Sequence, residues 1–298
     1  MLVSVVLALL TSASNATASV LQRRAASQAS PSKSMHVSLI AELARRKVWL
    51  AGIGLVIVAA LFQAGALATG PIALVQPIFI IELPLAILLG SLVMHRRIPQ
   101  RIWIAVAAVT IGLGTGLAAA QPGGGTNNAS KGLWILALIA VGAFELVVIS
   151  AALRVKGEPR AALLGLAAAC GYALTAALLK EAVAALNRGP AAFFTSWQLY
   201  GTAVAGVAAL FLLQNALQAG TLVASQPMLT VGDALISISL GVVLFDENVR
   251  VGWWLPLELL CLALIVVGCL EIAKSDLAIA PGGGQPGAAV ERPAADTR

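Results

Sequence analysis

Charge is scarce in this sequence. Charged residues make up 11% of its 298 positions, against about 25% in ordinary soluble domains. Histidine is nearly absent, and both copies, His36 and His95, lie in polar stretches beside basic residues without a partner cluster. That argues against a zinc or catalytic histidine site. The cysteines are three, Cys170, Cys261 and Cys269, all inside apolar runs. They form neither a disulfide framework nor a metal-ligand spacing and read as small buried hydrophobes. No nucleophile–base pair, metal cluster or phosphate loop is visible. The glycines of GLGTG, Gly112, Gly114 and Gly116, follow no strand and read as sites of close helix packing. No enzyme and no cofactor are expected. Short segments of alternating hydrophobicity are also absent, which excludes a transmembrane barrel.

What is present is hydrophobic length. Hydrophobic residues make up 59% of the chain. Several runs reach about 20 residues with few or no charges, enough to cross a hydrocarbon core of about 30 Å as helix. The expected class is an all-α membrane protein of about nine transmembrane helices. The first span covers residues 1–21. Its positive charge follows the apolar run, whereas a secretory signal carries it before; a cleaved signal is the minor alternative. The remaining spans read 48–69, 71–94, 102–120, 132–153, 160–183, 193–214, 219–245 and 252–273. Between the first two, HVSLIAELARRK is amphipathic and is expected on the membrane surface. The tail, with PGGGQPG, is expected to be disordered.

The net charge of +6 is an orientation signal, with no nucleic-acid partner implied. With nine spans and the N-terminus outside, the outer loops hold only Lys131, Lys180, Arg188 and Arg250, and the remaining fifteen of the nineteen bases fall inside. This positive-inside bias puts the expected C-terminus in the cytoplasm; the membrane expected is the plasma membrane. Trp49, Trp103, Trp134, Trp253 and Trp254 sit at expected span starts, where an amphipathic ring prefers the interface. Asn128-Ala-Ser matches a glycosylation acceptor, of consequence only in a eukaryotic secretory pathway.

One stretch, residues 67–103, occurs twice. Sliding the chain by 150 residues superposes Leu67 on Leu217, Gly70 on Gly220, Gln76-Pro77 on Gln226-Pro227 and Trp103 on Trp253 without a gap. Spans two to four are therefore repeated as spans seven to nine. Five spans separate the copies, an odd number, so the second runs through the membrane in the opposite sense. Spans one and six form a further pair, with Asn15-Ala16 through Arg23 resembling Tyr172-Ala173 through Lys180. The expected architecture is an inverted four-plus-four repeat: a first half at 1–120, a linking helix with its loops at 121–159, a second half at 160–273, and a tail at 274–298. Inverted repeats with interrupted hydrophobic segments point to a secondary transporter's binding site.

Each copy carries a proline and one acid near the middle of its span, Glu82 in the first and Asp233 in the second. A charge at the centre of a membrane helix costs about 2.5–3.5 kcal/mol on insertion scales, so such residues are functional candidates by default. A carboxylate at that depth binds a cation or a proton; the alternative is an acid merely hydrogen-bonded inside the bundle. Gln76 and Gln226 precede their prolines. Each proline frees a carbonyl one turn back, which the amide either bonds or leaves for a solute. Glu145, central in span five, is a weaker substrate-binding candidate, and Gln63, Gln214, Asn215 and Gln218 are candidates for the access path. Glu258 lies nearer a membrane edge. Lys180 and Glu181 read as an interfacial pair. Two acids and several amides, with no central Lys or Arg, suit a cation better than an anion.

The pattern of a span, a Gly or Ala turn, and a Pro-containing span ending in a short charged loop resembles the drug/metabolite transporter superfamily in its EamA-type form. In that family the Pro-containing span often ends with a glycine and then a glutamate. LGVVLFDENV fits with Gly241 and with Asp246 or Glu247, whereas LGSLVMHRRI has Gly90 but then Arg96-Arg97. The basic loop after span one looks like the NIPA-type magnesium transporters and related actinobacterial-looking membrane proteins. TSWQLYGTAVAG followed by QNALQAGTLVASQPMLT looks closest to the last group. The resemblance implies alternating-access movement of a small polar or cationic solute, proton-coupled in one version. A magnesium carrier or cation channel is the alternative, and a membrane-embedded transferase a weaker one. The expected partners are the lipid bilayer and the solute, with a homodimer kept open.

Overall fold

The computed structural model describes residues 1–27, 47–93, 97–250 and 252–274. The expected amphipathic segment ending at Lys47, His36, His95, Arg96 and nearly all of the expected tail fall outside those residues. Among the described residues, nine helical segments are long and apolar enough to span a membrane. They are α1 (Leu2–Ser27), α2 (Lys47–Thr69), the composite α3–α4 (Ile72–Ile78 and Glu82–Val93), α5 (Gln100–Ala120), α6 (Lys131–Leu153), α7 (Glu158–Ala184), α9 (Trp197–Ala219), α10 (Leu222–Phe245) and α11 (Leu255–Ala273), with a short α8 (Pro190–Phe194) between α7 and α9. This is an all-α, multi-pass membrane protein. The boundaries match the sequence expectation within a few residues, with the largest shifts at the end of α1, expected at 21, and at α9, expected at 193–214.

The local chemistry suits a medium without water, where every backbone polar group is met internally. Hydroxyls inside the spans bond the carbonyl one turn back, as Thr11 does to Leu7 at 2.9 Å, Thr17 to Ala13 at 2.7 Å and Thr175 to Gly171 at 2.7 Å. Ser130 caps α6 by accepting from Leu133 N. Apolar side chains on α6 (Ile135, Leu136, Ile139, Leu146, Val147) and α9 (Val204, Val207, Phe211) point outward, away from the protein's own core, as lipid-facing surfaces do.

Small residues set the close contacts. A Cβ at Gly165 of α7 would meet the Ser225 carbonyl oxygen of α10 at 2.6 Å, and one at Gly171 would meet Ala209 of α9 at 2.7 Å. In the GLGTG run, Gly112 and Gly116 face Cys261 of α11, whereas Gly114 faces open space. Two of the three glycines thus serve helix packing.

The neighbours fall into a pattern. α1 lies along α2 and against α3–α4; α7 lies along α9 and α10; α5 lies along α11; α3 touches α10; α6 packs on α7. At the Met1 end, a two-residue antiparallel pairing ties the α5–α6 loop (β1, Gly123–Gly124) to the segment after α10 (β2, Glu247–Asn248). The half of the bundle toward that end is filled by a core that includes Ala8, Leu67, Ile72, Val75, Leu178, Leu244 and Phe245.

The third span is broken where its repeat partner is not. After Ile78 the chain tightens into a 3-10 turn, Phe79–Ile81, before α4 resumes at Glu82, while α10 runs through Pro227 as one helix. Between Ile72 and Val93 the first copy carries two prolines, Pro77 and Pro84, and the second has Ala234 opposite Pro84. Pro77 cannot bond the Ala73 carbonyl and Pro84 cannot bond that of Ile80, so two missing bonds bracket the break.

Candidate functional site

A cavity of about 580 Å³ lies in the half of the bundle opposite the core just described. Its depth follows from which residues line it. α11 contributes only Ala273, its last residue; α10 contributes its first part, up to Asp233; α7 contributes Tyr172 and Thr175 but nothing nearer its C-terminal end. The lumen therefore belongs to the Ala273 end.

Glu82 and Asp233 both line this lumen, with Gln63, Gln76 and Gln226. Five of the six proposed substrate residues are thus brought together. The two acids are half-buried, and each has one neutral donor: Asn15 Nδ2 donates to Glu82 Oε2 at 3.2 Å, and Ser237 Oγ donates to Asp233 Oδ1 at 3.3 Å. Gln226 Nε2 donates to Thr230 Oγ1 at 3.4 Å rather than to the carbonyl freed by Pro227. Tyr172 stands within electrostatic reach of both acids. Among the described residues, no Lys, Arg or His lines the cavity.

The lining is paired across the repeat. Positions 63 and 213, 76 and 226, 79 and 229, 80 and 230, and 83 and 233 are each separated by 150 residues, and both members of every pair face the lumen. Asn15 and Tyr172, matched between spans one and six, also face it. Asn15, Tyr172, Thr175 and Thr230 were not among the expected site residues. The match of Asn15 with Tyr172 was the available signal for two of them.

Other expectations are placed elsewhere. Glu145 on α6 is half-buried, does not line the cavity, and lies within electrostatic reach of Cys170. Gln214 and Gln218 are exposed, and Asn215 turns back to the Phe211 carbonyl. Glu258 is half-buried outside the cavity, with Oε1 unpartnered.

Lys180 and Glu181 do not pair with each other. Adjacent helical residues point in different directions, and these two reach different neighbours. Lys180 Nζ donates to Glu247 Oε1 at 2.6 Å, and both side chains are essentially shielded from solvent, at 2% and 0% exposure. Glu181 accepts from Trp134 Nε1 at 2.6 Å, Gln198 Nε2 at 2.8 Å and Ala129 N at 3.1 Å. That bond holds Trp134 in the protein interior, where an interfacial position was expected. Glu247 has a second task. Its carboxylate accepts from Ile72 N at 2.7 Å and Ala73 N at 2.9 Å, capping the exposed amides at the start of α3.

A protein of Corynebacterium glutamicum described as uncharacterized is 24% identical to this chain over 285 residues, spanning 95% of this chain and 98% of its own length. No protein-family model matches the chain, and no solved structure matches it.

Proposed function

We propose that the protein is a secondary transporter of the drug/metabolite transporter type, moving a small cationic or polar solute across the plasma membrane by alternating access. The observation that carries this reading is the pairing of the lumen: one acid and one glutamine from each repeat copy line a single cavity, with no base among the described lining residues. Two halves of opposite sense around one central site are the architecture of an alternating-access carrier. The mirrored packing of α1 with α2 and α7 with α9 supports it. Each carboxylate holds either the cargo's positive charge or a proton, which makes proton exchange the natural coupling.

The cavity favours an organic cation over a bare magnesium ion. Its volume of about 580 Å³ lies in the range of small-molecule sites, about 300–1,000 Å³. Magnesium takes a tight octahedron of oxygens, most of them water, and is held through one or two carboxylates, so a bare ion would use little of this volume. The amides and Tyr172 give a solute body hydrogen-bonding partners.

The test is flux in liposomes, with a panel of alkylamines, amino acids and magnesium, with and without a pH gradient. Glu82→Gln and Asp233→Asn keep size and remove charge. Both are expected to insert and fold, since neutralising an acid at membrane depth relieves desolvation. Each is expected to lower saturable flux at least tenfold. Normal flux in both folded variants would refute the reading. Flux that tracks voltage without saturating would make the protein a channel.

A further inference from the structure

The two ends of the bundle around this lumen differ in chemistry. At the Met1 end, the Lys180 ammonium of α7 meets the Glu247 carboxylate after α10 at 2.6 Å, and that carboxylate holds the Ile72 and Ala73 amides that begin α3. Lys180 also reaches the Gly70 carbonyl at 3.4 Å and stands 4.9 Å from the centre of the Phe245 ring. One buried ion pair thus joins α7, α10 and α3, the elements that line the cavity below it. Gly241 makes the arrangement sterically feasible, because a Cβ there would collide with the Glu247 carboxylate. This gives a physical role to the spacing of Gly241 and Glu247.

Among the described residues, the Ala273 end shows no buried pair of this kind, only the exposed pairs of Arg101 and Lys274 with Glu271. In the sequence match of spans one and six Arg23 corresponds to Lys180, and 150 residues before Glu247 stands Arg97. Two bases cannot form an ion pair with each other. The start of α10 is capped instead by Glu158, which accepts from Thr221 Oγ1 at 2.9 Å and from Thr221 N at 3.3 Å, and Glu158 is exposed. The cap at one end is dry and doubly charged. The cap at the other is exposed.

We propose that the Lys180–Glu247 pair is a latch that seals the outer gate of the lumen, and that the exposed cap at the opposite end biases the empty protein toward opening on the inner side. This rests on the alternating-access reading and on the positive-inside orientation. A buried pair suits the role because it is stable only when complete: parting it leaves desolvated charges, so the gate is either fully closed or open to water. Opening also uncaps α3, which ties the latch to the segment bearing Gln76 and leading to Glu82.

The experiment places a reporter cysteine at Thr175, which lines the lumen, in protein whose Cys170, Cys261 and Cys269 are replaced. A membrane-impermeant thiol reagent is applied to right-side-out and to inside-out vesicles. With the latch intact, labelling is expected from the inner side and to be at least tenfold slower from the outer side. The Lys180→Met/Glu247→Gln double variant removes both charges together, and Gly241→Ala displaces the Glu247 carboxylate without touching either charged residue. Both are expected to raise outer-side labelling about tenfold. Outer labelling that stays at the intact rate in the folded variants would overturn the latch. So would loss of the double variant from the membrane while Gly241→Ala labels like the intact protein, since the pair would then serve stability alone. Labelling needs no solute. Alkylamine flux into the same vesicles therefore reports separately on the carrier reading, and its absence would refute that reading without altering the labelling result.

Discussion

Each acid in this protein is defined by what meets it, and the sequence shows only half of that. Glu82 and Asp233 stand out in apolar runs because insertion of a charge is costly, and both line the lumen. Glu181 and Lys180 are adjacent in the chain, which suggested a pair, but the helical angle between neighbours sends one to Trp134 and the other to Glu247. Contacts across 47 and 67 residues leave no local trace. Glycines divide in the same way. Gly165→Ala would force a methyl against the Ser225 backbone and is expected to destabilise by about 1–3 kcal/mol. Gly54, with nothing within 4 Å, is expected to accept alanine with no loss. Thermal midpoints of the two variants in detergent check this; equal midpoints would contradict the close crossing of α7 and α10.

At the scale of elements, span positions were legible because hydropathy and length decide them. The break in the third span was not, although its cause is in the chain. Pro77 alone would predict the same behaviour as Pro227, yet α10 is continuous and α3–α4 is not. The difference is Pro84, whose missing donor falls one turn beyond the break. Pro84→Ala is expected to restore a bond to the Ile80 carbonyl, straighten the segment and raise the thermal midpoint. If the break positions Glu82 for the solute, flux falls several-fold in the same variant. A lowered midpoint would show that the break is imposed by packing rather than by the prolines.

At the scale of the molecule, the sequence sets Gly70, Gln76-Pro77 and Trp103 in register with like residues 150 positions on. What the pairs enclose was not, because a lumen is a property of packing. The location of the cavity toward the Ala273 end depends on the Met1 half being filled by residues such as Ile72, Leu178 and Phe245, each an unremarkable apolar position in sequence. The orientation we propose rests on the basic residues. Cysteines placed at Asn127 and Lys156, both exposed, are expected to label from outside and inside respectively in intact cells and inverted vesicles; the reverse pattern would turn the molecule over.

The central claim is that the two lumen carboxylates bind a cation. Equilibrium binding of alkylammonium probes to the purified protein tests it without assuming transport. The intact protein is expected to bind with release of protons in weakly buffered solution. The Glu82→Gln/Asp233→Asn double variant is expected to lose affinity by at least a hundredfold, or about 2.7 kcal/mol at 1.36 kcal/mol per factor of ten, and to release no proton. Unchanged affinity in a folded double variant would contradict the account.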